Sequence, residues 1–375
     1  MKIGIDASRA FIKNRTGIEE YSYQVIKNLM NKLEEHQVIL YIRRSQKSKV
    51  ESQKLPESWR IKVIKWPYLW TQVGLSLELF FHTVDVLFIP AHTVPCIHPK
   101  NTIVTIHGLE YEFCPKAYSF WARLYMRWSI KNSCKWAKTI IAVSNNTKND
   151  LVKLYNVPEE KINVVYEGTN LIKNLKIKNQ NDNSKFKIDK YLLFIGRLEK
   201  RKNILGIIEA FEILKEKYKI PHKLVLAGEP GYGYQNAKTK MQKSKYRNEI
   251  IFNGFIGDEE KYNLLKNADV FLFPSFYEGF GLPILEAQSA GVPVVTSNIS
   301  SIPEITGAKL LELKELSSCS AILINPNKPD EIAKAAYKFI SDENLRNDII
   351  NKGFENVKRF SWEKCANEIS KLILC

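Results

Sequence analysis

The chain has 375 residues, of which 45% are hydrophobic and 26% charged, and its net charge is +16. That length and composition exclude a disordered or fibrous chain and are expected to give two folded domains, each with its own core. No apolar run approaches the ~20 residues that span a bilayer, no secretory region opens the chain, and six scattered cysteines show no zinc spacing, so a cytoplasmic protein with reduced thiols is expected.

Short apolar runs at residues 3–6, 38–42, 84–90, 103–106 and 139–143 read as buried strands, with helices at 17–34, 118–138 and 145–155. Residues 171–190 are polar, rich in Lys and Asn and without periodicity, which predicts a linker. A second series follows: strands at 191–195, 223–227, 250–253, 269–273 and 292–296 alternate with helices at 203–218, 258–267 and 281–291. Further helices are expected at 330–340 and 343–358, and residues 309–320 look like an insertion. Alternation of this kind is expected to give two doubly wound α/β domains, 1–170 and 191–359, with ligand held at the carboxyl ends of the strands.

Several stretches could carry chemistry. Thr16 reads as a helix N-cap, and Gly17 would let a ligand approach the backbone, although an ordinary cap explains both. His107 closes the strand 103–106, either as a structural residue or facing a ligand. Arg123, Arg127, Lys131 and Lys135 recur every four residues among aromatics. That pattern suits an anionic membrane surface or a lipid-linked phosphorylated acceptor, and equally a solvated helix face. Gly196-Arg197-Leu-Glu-Lys-Arg-Lys202-Asn places cations between a strand and a helix, where they could grip a diphosphate or form a surface salt-bridge cluster.

The most informative stretch is Glu278-Gly-Phe280-Gly281-Leu282-Pro-Ile-Leu-Glu286, a glycine-rich turn opening a helix between two apolar strands. Free amides at a helix start favour an anion, and carboxylates beside it favour hydroxyls. Phosphate and hydroxyls together point to a nucleotide sugar.

Two glutamates with seven residues between them, flanked by Tyr277 and by Ala290-Gly-Val-Pro-Val, resemble the signature of retaining glycosyltransferases of family 4. Asp6-Ala-Ser-Arg9 and Thr16-Gly-Ile18 look most like the mannosyl- and rhamnosyltransferase branch of cell-surface polysaccharide synthesis. The resemblance implies the GT-B fold, two Rossmann-like domains facing a cleft, with residues 360–375 packing back on the first domain. It implies transfer of a hexose, mannose favoured, from a nucleotide diphosphate sugar (GDP-mannose favoured) to a lipid-linked or polysaccharide hydroxyl. Arg197 and Lys202 would hold the diphosphate with the amides of Phe280, Gly281 and Leu282, so that no metal or other cofactor is required. Glu286 would take ribose hydroxyls, Glu278 and His107 the sugar, and the Gly17 turn would face the diphosphate or an acceptor oxygen. Gly108 stands where the family usually has Asp after the histidine, which removes the expected neighbouring carboxylate. The location implied is cytoplasmic, peripheral on the inner face of the membrane. A sugar-nucleotide epimerase or hydrolase of the same fold is the alternative. A nucleic-acid-binding protein is a weaker one, since the chain has charge but no recognition motif.

Overall fold

The computed structural model of the chain describes residues 1–13, 15–169, 189–308 and 319–375. Residues 171–188 of the expected linker at 171–190 and residues 309–318 of the expected insertion at 309–320 lie outside the described residues. The chain forms two compact units. The first comprises Met1–Tyr111, Phe120–Gly168 and Phe360–Cys375; the second comprises Glu112–Ser119 and Thr169–Arg359.

Seven strands build the first unit: β1 Lys2–Asp6, β2 Gln37–Arg43, β3 Trp59–Ile64, β4 Val86–Ile89, β5 Asn101–Ile106, β6 Thr139–Ala142 and β7 Ile162–Val164. They pair in the order β3-β2-β1-β4-β5-β6-β7, all parallel. Strand β4 is buried throughout and β5 from Thr102 onward because helices cover both faces of such a sheet, which explains their largely apolar runs. Several features depart from expectation, among them short helices at Lys47–Glu51 and Ser76–Phe81. The helix from Gly17 ends at Leu29, closed by turns of Lys32 and Leu33 onto the Leu29 carbonyl. Strands β3 and β7 lie at the two sheet edges and were not expected, since β3 carries Arg60 and Lys62 between its apolar residues.

The second unit contains β8 Tyr191–Ile195, β9 Lys223–Ala227, β10 Ile250–Gly254, β11 Val270–Phe273, β12 Val294–Ser297 and β13 Ile322–Ile324, in the parallel order β10-β9-β8-β11-β12-β13. Leu192, Phe194, Leu226, Phe271, Phe273 and Val295 form its core with Ile207, Phe211 and Phe339 from covering helices. The helix Tyr234–Lys243 was not foreseen; it buries only Ala237 and has no apolar stripe to read.

The helix Trp362–Leu374 returns to the first unit and packs on the helix Gly17–Leu29. Ser361 caps it by accepting from the Lys364 N–H at 3.1 Å. Its buried face is Trp362, Cys365, Ala366, Ile369 and Ile373. Gly168 passes so close to this helix that a Cβ there would collide with the backbone of Ser361 and Trp362.

Candidate functional site

In the second unit the chain leaves β8 toward β9 on one flank and reaches β12 and β13 from β11 on the other, so the strand order reverses between the neighbours β8 and β11. Loops leaving the carboxyl ends of two such strands diverge and leave room for a ligand. The segments 196–203 and 274–281 are those loops.

Here Lys202 and Glu278 meet. Lys202 Nζ donates to Glu278 Oε1 at 2.6 Å, and Arg201 Nη1 lies 3.1 Å from Oε2. Arg201 is also paired with Glu199 at 2.8 Å and donates to the Tyr277 carbonyl at 2.7 Å. Burial opposes ionisation of Glu278, but Lys202 and Arg201 outweigh it and hold its carboxyl below the usual range. Burial and the neighbouring Arg201 push the Lys202 ammonium down, against the pull of Glu278. The ammonium also sits 4.7 Å from the centre of the Phe273 ring, a cation–π contact. An ionised carboxylate offers about four lone-pair directions, so Glu278 keeps acceptor capacity beyond these two partners.

Two serines after β12 hold the Glu278 loop. Ser300 Oγ accepts from the Glu278 N–H at 3.0 Å and donates to its carbonyl at 2.5 Å. Ser301 Oγ lies 2.9 Å from that carbonyl and 2.7 Å from the Phe280 carbonyl. Gly281, at φ 130°, adopts a conformation open to glycine and opens the helix Leu282–Ser289. The N–H groups of Gly281 and Leu282 have no protein acceptor among the described residues, as expected of donors at a helix start.

The other expected residues are placed apart from this pair. Arg197 is exposed and its guanidinium has no partner among the described residues. Glu286 is half-buried and paired with Lys261 at 2.6 Å. In the first unit Gly17 is exposed, and a Cβ there would meet nothing within 4 Å. Thr16 does cap its helix: the Glu19 carboxylate reaches back to the Thr16 N–H at 3.2 Å and to its hydroxyl.

His107 follows β5, buried, with Nε2 2.8 Å from the Pro90 carbonyl and Nδ1 3.1 Å from Glu167 Oε1. A carboxyl group does lie beside His107, that of Glu167, sixty residues further along. The helix Phe120–Trp136 buries Ser129, Ile130, Ser133 and Cys134. Its outer surface carries Trp121, Leu124, Tyr125 and Trp128, with exposures of 45–75%. Arg127, Lys131 and Lys135 are exposed on the same helix, and Arg123 is half-buried.

Glu199, Arg201, Lys261, Ser300, Ser301 and Glu167 were not foreseen. Arg201 and Glu199 sit inside a motif whose other cations were singled out, and Ser300 and Ser301 follow a strand adjacent to β11, so the rule of strand carboxyl ends could have found them.

The family model described as "Glycosyltransferase Family 4" matches residues 15–173, and "Glycosyl transferases group 1" matches 176–356. The O-antigen chain mannosyltransferase B of Escherichia coli is 30% identical over 273 residues, 72% of this chain and 69% of that protein. The O-antigen chain mannosyltransferase RfbU of Salmonella typhimurium is 24% identical over 80% of this chain and 78% of its own length. Among solved structures, the sucrose-phosphate synthase of Thermosynechococcus elongatus superposes with a TM-score of 0.76 at 18% identity, covering 99% of this chain and 98% of that one. WaaG, a glycosyltransferase involved in lipopolysaccharide biosynthesis, gives 0.71 at 16% identity and 99% of both chains. These neighbours share the GT-B fold with this chain.

Proposed function

This chain belongs to the glycosyltransferases of family 4, and on that premise we propose that it moves a hexose from a nucleotide diphosphate sugar to a hydroxyl of a lipid-linked or polysaccharide acceptor, with retention. The observation that carries the reading is the Lys202–Glu278 pair at the β8/β11 switch, beside the open amides of Gly281 and Leu282. Mannose is the sugar that the names of several relatives favour, and GDP-mannose is accordingly the preferred donor.

In this reading the diphosphate lies against Arg197, Lys202 and the amides of Phe280, Gly281 and Leu282, whose positive ends stabilise charge as the leaving group departs. These groups take the place of a metal. Glu278 accepts from sugar hydroxyls while Lys202 and Arg201 fix its position. Glu286 accepts from the ribose and exchanges Lys261 for that ligand. His107 contacts the sugar, and the Gly17 turn the diphosphate or an acceptor oxygen. The bond to the acceptor oxygen forms on the face from which the diphosphate leaves, and the acceptor proton passes to the departing phosphate. The aromatic and basic surface of the helix Phe120–Trp136, with Arg123, Arg127, Lys131 and Lys135, suits a lipid-linked acceptor at an anionic membrane face. No helix among the described residues is long and apolar enough to cross a membrane.

The test is thermal stabilisation of the chain, and of Glu286→Ala, by GDP-, UDP- and dTDP-sugars, followed by release of nucleoside diphosphate with and without a lipid-linked saccharide. A shift with GDP-sugars that the variant loses, and release that needs the acceptor, are the expected results. Interconversion of sugar nucleotides without acceptor would make the protein an epimerase. Neither a shift nor release with any of the three would end the reading.

A further inference from the structure

His107 and Glu167 form a buried acid–base pair whose chemistry follows from counting protons. A neutral imidazole has one N–H and one lone pair. The Pro90 carbonyl, 2.8 Å from Nε2, can only accept, so Nε2 carries a proton. Nδ1 lies 3.1 Å from Glu167 Oε1, a contact that needs a second proton between them. Wherever that proton sits, the ring has no lone pair left for a substrate.

Among the described residues, Glu167 is the carboxyl group bonded to this ring. Tyr21 packs edge-on at 4.5 Å, with its hydroxyl 3.1 Å from Thr105 Oγ1, and burial raises its phenol well above the ordinary value. The Cys365 thiol, on the helix Trp362–Leu374, is likewise pushed up by burial and by Glu167, and stays neutral. The His92 ring lies 5.2 Å away, and its Nδ1 is 3.5 Å from the His107 backbone N–H, which places a lone pair there. Burial, His107 and Arg9 hold His92 well below its usual value, so it too is uncharged at neutral pH.

Glu167 itself is pinned on both sides. Val165 N–H donates to the Ala142 carbonyl at 3.0 Å, and the Tyr166 hydroxyl accepts from Asn145 at 2.8 Å. Gly168 lies against the backbone at Ser361 and Trp362.

We propose that Glu167 is a positioning residue that keeps a proton on His107 Nδ1 and fixes the ring between itself and Pro90. His107 then serves sugar transfer as an oriented cation and not as a general base. The catalytic half of this statement rests on the function proposed above; the charge state of the pair does not.

The test uses the full chain labelled with 15N-histidine. Long-range 1H–15N spectra, with His107 assigned by loss of its signals in His107→Asn, are expected to show protons on both ring nitrogens at neutral pH. Glu167→Gln should convert His107 to the neutral Nε2–H tautomer, and Glu167→Asp should retain the wild-type pattern. In transfer assays Glu167→Gln should lower kcat by ~100-fold with donor KM within about twofold, and Glu167→Asp should recover at least ~10-fold of that loss. Thermal melts of each variant establish that it is folded. A bare Nδ1 in the wild type overturns the proposal, as does an unchanged kcat in folded Glu167→Gln. A wild type that binds no sugar nucleotide and transfers nothing overturns the functional reading instead, and the histidine spectra still decide the pair.

Discussion

Glu278 in the second unit faces two strong bases, Lys202 at 2.6 Å and Arg201 at 3.1 Å, whereas Glu167 in the first unit faces a single histidine at 3.1 Å. Both carboxylates are buried beyond the carboxyl ends of parallel strands. With Arg201 also bonded to Glu199, the first network sets two cations against two carboxylates, and the exposed Arg197 nearby in the same loop is a further cation for an anionic ligand. The second sets one carboxyl group against one imidazole. A buried pair of the first kind provides a charged platform, and one of the second kind provides orientation.

The comparison breaks most severely at Lys202. Lys202→Met leaves Glu278 with Arg201 alone and removes a cation from the diphosphate position. Transfer should fall by about 10²–10³-fold, and unfolding in urea should show a loss of ~3–5 kcal/mol, the usual cost of breaking one side of a buried pair. On the other side of the comparison, Gly168→Ala places a methyl against the helix start that seats the Glu167 turn. It should cost ~1–3 kcal/mol in urea unfolding and expose residues 360–375 to proteolysis.

Glu286→Ala should be milder. It removes a half-exposed ion pair with Lys261, worth ~0–1 kcal/mol of stability, but should weaken sugar-nucleotide binding by about 10-fold in calorimetry through lost ribose contacts. The smallest expected effect is one of pH. The Glu278 carboxyl is held below its ordinary 4.5, so the folded state binds its proton less readily than the unfolded chain. Its stabilisation is complete above that value and is lost as pH falls through the lower folded value. Melting temperature should therefore drop more steeply below about pH 4 in the wild type than in Glu278→Gln.

The same contrast explains what could be read from the chain beforehand. The runs 191–195 and 224–227 are uninterrupted apolar segments and fall in β8 and β9, because a strand stretch covered on both faces is apolar throughout. Strand β3 alternates Trp59, Ile61 and Val63 with charged residues at a sheet edge, a weaker signal easily taken for a loop. Lys202 and Glu278 lie 76 residues apart, yet each sits in a motif with its own local signature. Glu167 has none. It follows a three-residue edge strand, and nothing in Tyr166-Glu167-Gly168 indicates that the side chain returns to a histidine at the end of β5. Spacing rules work within one loop or one helix; this pair is created by strand order.

The return of the helix Trp362–Leu374 also bears on the order in which the protein is made. On the ribosome, strands β1–β7 emerge early, but the surface of the Gly17–Leu29 helix that the last helix covers stays bare until the whole second unit has been translated. At ~5–20 residues per second that interval is on the order of ten to forty seconds. Throughout it, Tyr21 lacks Trp362, and Gly168 lacks the backbone against which it is later packed. The nascent first unit is thus an apolar surface awaiting a late segment, a form on which a chaperone would act, and its final consolidation coincides with completion of the second.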